Sequence, residues 1–338
     1  MIKKNKKISI IILNYNGKNL LKKFLPSVVK YSDPELSSIY VVDNNSKDGS
    51  VEYINDRFDS VKTVSYKKNY GYAGGYNKCI SNINSDYYVF LNNDIEVTEN
   101  WLKPMFDALE SNSNMGACQP KILSYNDKKY FEYAGAAGGF IDFLGYPYCR
   151  GRIFDFLEKD EGQYDNIIKT FWSSGACLMI RSKIFKNSGG FDENFFAHME
   201  EIDLCWRISK MGYDNYCIPS SKIYHLGGGT LNNQNPKKTY LNFRNNLIML
   251  AKNDKILSLT YKIPFRLFFD FFASFKFLIG KKSFKHFFAI YKAYLNFLIL
   301  LPKILLFSRK YNLKKINLTY KIIPLEYFLK GNKRFSEL

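Results

Sequence analysis

Residues 86–94 read Asp-Tyr-Tyr-Val-Phe-Leu-Asn-Asn-Asp, a strand-forming and largely apolar run that stops on two amides and a carboxylate. A continuous apolar run of that length predicts a strand buried on both faces, and the polar turn after it predicts a ligand-facing loop at its carboxyl end. Working outward, the pattern recurs. ISIIIL (8–13) runs into Asn14-Tyr15-Asn16, SIYVVD (38–43) into Asp43-Asn44-Asn45-Ser46, and VKTVSY (61–66) is followed by Asn69-Tyr70-Gly71. Between them, 18–31 has helical spacing through Leu20, Leu21, Phe24, Leu25 and Val28, and 72–83 and 99–111 predict further helices. Strands alternating with amphipathic helices predict a doubly wound α/β fold with a mostly parallel sheet. Such sheets bind ligands beyond the carboxyl ends of their strands, so these four polar ends mark the candidate site.

Beyond a strand near 115–120, residues 121–168 are rich in Gly, Tyr and Asp and predict an excursion of loops and hairpins. FWSSGACLMI (171–180) resumes strand character, and EIDLCWRISKMG (201–212) is a helix stopped by Gly212. Short strands over 213–218 and 222–226 precede the turn Gly227-Gly228-Gly229. With 46% hydrophobic and 24% charged residues among 338, the chain is globular and long enough for one large domain plus an appendage. The six cysteines, Cys79, Cys118, Cys149, Cys177, Cys205 and Cys217, are widely spaced and read as reduced, buried side chains. The basic start MIKKNKK is followed by too short an apolar run for a signal peptide, so 8–13 is read as the first strand of a protein that is not exported.

Net charge is +18, and it is concentrated at one end. Residues 239–338 hold 19 Lys and Arg against 4 Asp and Glu, whereas 1–238 hold 30 against 27. That asymmetry points the last hundred residues towards an anionic partner, either lipid headgroups or nucleic acid. Over 281–303, Lys281, Lys285, Lys292, Asn296 and Lys303 fall on one narrow arc of a helix whose remainder is nearly all apolar or aromatic. The longest uncharged run there, 293–301, is shorter than the ~18–20 residues that span a bilayer, so the segment is read as a helix lying in the membrane interface with its lysines snorkelling. A pair of helices packed on the preceding domain is the alternative. The expected division is therefore a catalytic domain over 1–238 and a helical, membrane-interface region over 239–338.

Seven ordered segments carry a family likeness: IIILNYNG, VVDNNSKDGS, KNYGYAGGYN, VFLNNDIEV, WSSGACLMI, GGFDENFFAHMEEIDLCWR and YHLGGG. In that order, over about 8–230, the chain resembles the family 2 glycosyltransferases of the GT-A fold, closest to the rhamnosyltransferase-like branch that builds cell-surface polysaccharides. The resemblance implies a GT-A, Rossmann-like sheet flanked by helices, and an inverting transfer from a nucleotide-diphosphate sugar to a saccharide acceptor carried on a lipid. It implies that Asp43 contacts the base or ribose of the donor, with Asn69, Gly71 and Gly75 in the segment that closes over it, while Asn14, Asn16 and Asn45 are read as donor-binding from their place at the polar strand ends. Asn92-Asn93-Asp94 stands at the family's acidic metal-binding turn, with Asn92 in place of its first acid. Asp94 and His225 are thus the implied ligands of Mg2+ or Mn2+, hard cations that keep few protein contacts. Glu201 is the implied catalytic base and Glu200 its neighbour, with Trp172 and Ser173 bordering the acceptor. Each has a plainer reading: an Asx turn, a structural histidine, helix-N-terminal acids, a core tryptophan.

Two other classes share some of these features. A nucleic-acid-binding protein would use the basic, aromatic end of the chain, but no recognisable module is present. A sugar nucleotidyltransferase needs a Gly-rich basic phosphate loop after the first strand, where this chain has NYNGKN. The expected partners are a nucleotide-diphosphate sugar, a lipid-linked saccharide and a membrane surface, without nucleic acid. The expected location is peripheral, on the cytoplasmic face of the plasma membrane.

Overall fold

A computed structural model of the chain describes residues 7–227, 235–280, 283–307 and 318–338. The first strand, β1 (Ile8–Asn14), has both faces covered, because every other residue of Ile-Ser-Ile-Ile-Ile-Leu meets a different helix layer. Chain order continues with α1 (Lys18–Tyr31), β2 (Ser37–Asp43), α2 (Ser50–Arg57), β3 (Val61–Ser65), α3 (Gly71–Ile80), β4 (Tyr87–Asn92), β5 (Ile95–Val97), α4 (Lys103–Ser111) and β6 (Met115–Ser124). Four short strands follow, β7 (Gly139–Ile141), β8 (Pro147–Cys149), β9 (Arg152–Ile153) and β10 (Phe156–Leu157). Next come β11 (Ile168–Thr170), β12 (Cys177–Arg181), α5 (Ser182–Asn187), α6 (Glu200–Lys210) and β13 (Asp214–His225). The last helices are α7 (Pro236–Asn253), α8 (Ile256–Gly280), α9 (Phe284–Phe307) and α10 (Ile323–Phe328).

The main sheet runs β11-β13-β6-β12-β4-β1-β2-β3, with β5 paired to β13. Strands β3, β2, β1 and β4 are parallel, so the ends of β1, β2 and β4 reach one edge: Asn14 lies opposite Asp43, and Leu13 opposite Asn92. Strand β12 enters antiparallel between β4 and β6, and β6 and β13 pair in parallel. The sheet is thus mixed but mostly parallel and flanked by helices, as the alternation of elements predicts. Helices α2 and α5, eight and six residues long, escape the sequence reading because such short segments carry little periodic signal.

Two expectations are revised, and the hairpins expected over 121–168 take a definite form. Residues 213–218 and 222–226 form one strand, with a register irregularity between Ile218 and Lys222 where Pro219 cannot donate to the ladder. The excursion over 121–168 is a small antiparallel sheet, β10-β9-β8-β7, braced by 318–338: Ile323 N donates to Asp142 (2.9 Å) and Phe335 N to Glu158 (3.1 Å). The expected division at 238/239 falls inside α7, whose Leu247 to Ala251 lie in the same core cluster as Phe90, Leu178 and Ile202. Composition changes there because amphipathic helices begin, not because packing ends.

Helix α9 also belongs to that core. Ala289, Ile290, Ala293, Tyr294 and Phe297 are buried, while Phe284, Phe288, Leu295, Leu298, Ile299 and Leu306 are exposed. One face is therefore packed on the preceding domain, as the alternative reading of this helix expects, and another presents apolar surface. Phe284–Leu306, 23 residues with mean hydropathy 1.5, is the one helix among the described residues long and apolar enough to cross a membrane by length and composition. Counting only uncharged runs underestimated it. The N-terminal Met1–Lys6, Gly228, Gly229 and Lys281 lie outside the described residues.

Candidate functional site

The carboxyl edge of the parallel strands is built from side-chain amides that bond one another across neighbouring turns. Asn14, fully buried at the end of β1, donates to Ser46 Oγ (3.2 Å) and lies 3.4 Å from Asp43 Oδ1. Its Oδ1 accepts from Asn93 Nδ2 at 2.9 Å, which ties the turn after β1 to the turn after β4. Asp43 accepts from Ser46 N (2.9 Å), and Asn16 from Lys47 N (2.8 Å). Asn16 and Asn45 take left-handed backbone, φ 51° and 71°, which asparagine tolerates. Asn44 Nδ2 bonds Asn69 Oδ1 (3.0 Å) and the Gly71 carbonyl (2.9 Å), bringing the loop after β3 into the same cluster. The structure thus gathers the sequence-predicted Asn14, Asn16, Asp43, Asn45, Asn69, Gly71 and Asn93 on one edge.

Gly75 stands apart from that set. It is buried inside α3, where a Cβ would come within 2.7 Å of Leu13 Cδ1, so it lets α3 pack on β1 rather than lining the donor space. Gly71 has φ 73° and a backbone so close to Phe196 that a Cβ would lie 2.7 Å from the Phe196 carbonyl oxygen.

Asp94 is the second residue of the two-residue turn between β4 and β5, whose Ile95 is paired with His225 of β13. That register sets His225 Nε2 3.0 Å from Asp94 Oδ1, with both side chains buried. On its far side His225 Nδ1 lies 3.1 Å from Glu132 Oε2. Burial alone would lower the imidazole pKa, but the carboxylates of Glu132 and Asp94 raise it to about 10. Glu132 is itself held below the usual glutamate range despite burial, by His225 and the amide of Ala134. Sequence reasoning missed Glu132, which lies in an aperiodic segment with no motif around it. Among the described residues no group of three or more His, Cys, Asp or Glu side chains is arranged around a metal position. Asp94 and His225 are the adjacent carboxylate and imidazole that could hold a divalent cation here.

Glu200 and Glu201 begin α6. The chain enters that helix through Phe196, His198 and Met199 with φ 63°, 72° and 75°, a run of left-handed, non-glycine residues that is energetically costly. Glu200 is buried and Glu201 partly exposed, and Oε2 of each has no hydrogen-bond partner among the described residues. Burial and the neighbouring Glu201 push Glu200 well above the glutamate range. Burial raises Glu201 to about 7, against the pull of the helix-terminal amides. His198, just before them, is lowered to about 4 by burial and Lys238 and stays neutral, its Nε2 likewise without a partner among the described residues.

The loop 173–176 joins this pair to the edge of the sheet. Gly175 O accepts from Tyr72 OH (2.7 Å), a Cβ on Gly175 would lie 3.5 Å from Glu201 Cγ, and Ala176 O accepts from Asn92 N (3.0 Å). Asp203, by contrast, is spent internally. It takes Arg207 Nε (2.9 Å), Lys252 Nζ (3.0 Å) and Asn253 Nδ2 (2.7 Å), and these basic partners hold it at about 2 against burial. Trp172 is buried with its ring over Gly139 and Nε1 donating to Phe140 O (2.8 Å), so its face supports the loop from behind instead of lying open to a sugar. Ser173 is fully buried, its hydroxyl without a partner among the described residues.

With this geometry in place, the comparisons are specific. The chain is 24% identical over 233 residues to the N-acetylglucosaminyl-diphospho-decaprenol L-rhamnosyltransferase of Mycobacterium tuberculosis, covering 64% of this chain and 75% of that protein. It is 24% identical over 230 residues to the rhamnosyltransferase WbbL of Escherichia coli K12, covering 64% and 83%. Its fold is that of the mannosyltransferase PcManGT of Pyrobaculum calidifontis, solved with GDP-Man and Mn2+: TM-score 0.55 at 12% identity, covering 88% of each chain. The model of glycosyl transferase family 2 matches residues 9–188, more than half of the sequence and the whole of the strand-end cluster. The chain belongs to glycosyl transferase family 2 and is a glycosyltransferase.

Proposed function

We propose that the chain is an inverting transferase that moves a sugar from a nucleotide-diphosphate donor to a saccharide acceptor carried on a lipid, in the synthesis of a cell-surface polysaccharide. The observation that carries this reading is the Glu201 carboxylate: raised to about 7, unpartnered at Oε2, and joined through Gly175 and Ala176 to the Asn92–Asp94 turn. A base with a pKa near the working pH can take a proton from an acceptor hydroxyl as that oxygen attacks the anomeric carbon. The bond from that carbon to the diphosphate breaks on the opposite face, the nucleotide diphosphate leaves, and the configuration inverts. Glu200, buried beside Glu201, disfavours a second negative charge and keeps the pair's protons at different affinities.

Asn14, Asn16, Asp43, Asn45 and Asn93 frame the donor, and Asn69 and Gly71 cover it. Asp94 and His225 would hold Mg2+ or Mn2+, which when bound supplies positive charge to the departing diphosphate. Trp172 and Ser173 shape the acceptor wall from behind. The lipid-linked acceptor is supported by the decaprenol-linked substrate in the name of the mycobacterial relative and by the apolar outer faces of α8 and α9. Residues from α8 onward would then rest on the cytoplasmic face of the plasma membrane, basic side chains towards anionic headgroups.

Glu201→Gln tests the central claim. Donor binding, read as nucleotide-sugar stabilisation in thermal unfolding, is retained and transfer is abolished; turnover at the wild-type rate would sink the assignment. The same measurement run over nucleotide sugars with Mg2+ or Mn2+ identifies the donor by mass action.

A further inference from the structure

Helix α7 carries two successive asparagines, Asn245 and Asn246, buried within the protein. A buried amide must satisfy its donors and its acceptor, and its partners show what it holds in place. Asn245 Nδ2 faces three carbonyls of one loop: Phe195 O at 2.9 Å, Ala197 O at 2.8 Å and His198 O at 2.8 Å. Its Oδ1 accepts from Arg244, Nε at 2.8 Å and Nη2 at 2.6 Å, and Nη2 also reaches Asn194 O (3.0 Å) and Phe195 O (3.3 Å). The one carbonyl of 195–198 left over, Phe196 O, takes Tyr72 N of α3 at 2.8 Å.

Every carbonyl of 195–198 is thus tied, and this is the segment whose left-handed residues turn the chain into α6. Left-handed backbone in Phe, His and Met persists only where surrounding bonds impose it. The loop touches both halves of the site, through Phe196 against Gly71 on the donor side and through Met199 into Glu200 and Glu201. We propose that Asn245, its amide oriented by Arg244, is a positioning residue for the transfer reaction, holding the 195–198 loop in the strained conformation that fixes the start of α6, with Glu200 and Glu201, relative to the donor turn that Phe196 touches at Gly71. The proposal rests on the reading of Glu201 as the base.

The chemistry demands an amide. Aspartate would turn an oxygen onto three carbonyls and set a carboxylate against the guanidinium, while alanine would free Ala197 O and His198 O, leave Phe195 O to Arg244 alone and let the loop relax. Displacing a reacting group by about 1 Å costs on the order of 100-fold in rate. In the full-length protein, Asn245→Asp and Asn245→Ala are therefore expected to lower kcat by about 100-fold with donor affinity unchanged. They also move the midpoint of the acid limb of the kcat–pH profile, because the surroundings of the base change. Arg244→Lys keeps the charge, loses the fork on Asn245 Oδ1, and shifts both readouts in the same direction by less. If the Asn245 variants do not accumulate as folded protein, Arg244→Lys carries the test alone. Folded variants with wild-type kcat and pH profile overturn the proposal, as does a loss of kcat that follows loss of folded protein with the profile unmoved. Failure of the base reading is separate: Glu201→Gln would then turn over normally, whatever Asn245 does.

Discussion

Asp94 meets His225 because of a pairing register, and Glu132 completes the row from a segment with no periodic signal. Asp94→Asn is expected to abolish cation-dependent stabilisation by nucleotide sugar and cation-dependent transfer, measured by thermal shift and by a radiolabelled-donor assay. Partners that orient a ligating imidazole are worth about 10–100-fold in metal affinity, so Glu132→Gln should weaken Mn2+ binding by that factor in calorimetric or EPR titration. The base pair gives a pH signature. Turnover should rise with pH through about 7 as Glu201 loses its proton. Stability runs the other way: the folded pKa lies above the ordinary 4.5, so the unfolded chain releases this proton first and stability falls as pH climbs from about 4.5 to about 7. Glu201→Gln should therefore raise the Tm at pH 8, with the gain fading by about pH 4.5, as read by calorimetry. Asp94, Glu201 and His225 were legible in the sequence as candidates because each stands near the end of a recognisable strand or the start of a recognisable helix. Glu132 and Asn245 were not, since what marks them is a partner distant in sequence.

Among the elements, α7 does what composition hid. Its Lys252 and Asn253 grip Asp203 of α6, with Arg207 of the same helix completing the cluster around that carboxylate. Breaking a buried ion pair leaves uncompensated charge, so Asp203→Asn is expected to cost about 3–5 kcal/mol in denaturant unfolding. Because Asp203 is held at about 2, below its ordinary 3.8, that contribution is present above pH 3.8 and fades as pH falls towards 2. The central strands and long helices were readable from sequence because burial on two faces, or on one stripe, leaves a continuous or periodic pattern. The small sheet β7–β10 was not, because strands of two or three residues that bury irregularly leave none. The break at Pro219 made one strand read as two.

For the whole molecule, the exposed apolar residues of α8 and α9, among them Leu257, Phe268, Phe272, Ile279, Leu295 and Ile299, form a face with no protein cover among the described residues. Removing 255–338 would be a poor test of membrane docking, since it also strips Ile290, Tyr294 and Phe297 from the core. Replacing Phe268 and Phe272 on α8 and Ile299 on α9 by serine leaves the core intact. It should weaken sedimentation with vesicles containing anionic lipid while sparing transfer to a soluble acceptor, and undiminished vesicle binding would exclude this face.

All six native cysteines are free and buried, and burial pushes every thiol above its ordinary pKa. Thiolate is the reactive form, so none of them competes for a mild alkylating reagent while the protein is folded. The wild-type background is therefore already silent to site-directed labelling. A cysteine placed at Leu298 would be the lone ready nucleophile, and a nitroxide there would report its own depth in a bilayer with all six native cysteines left in place.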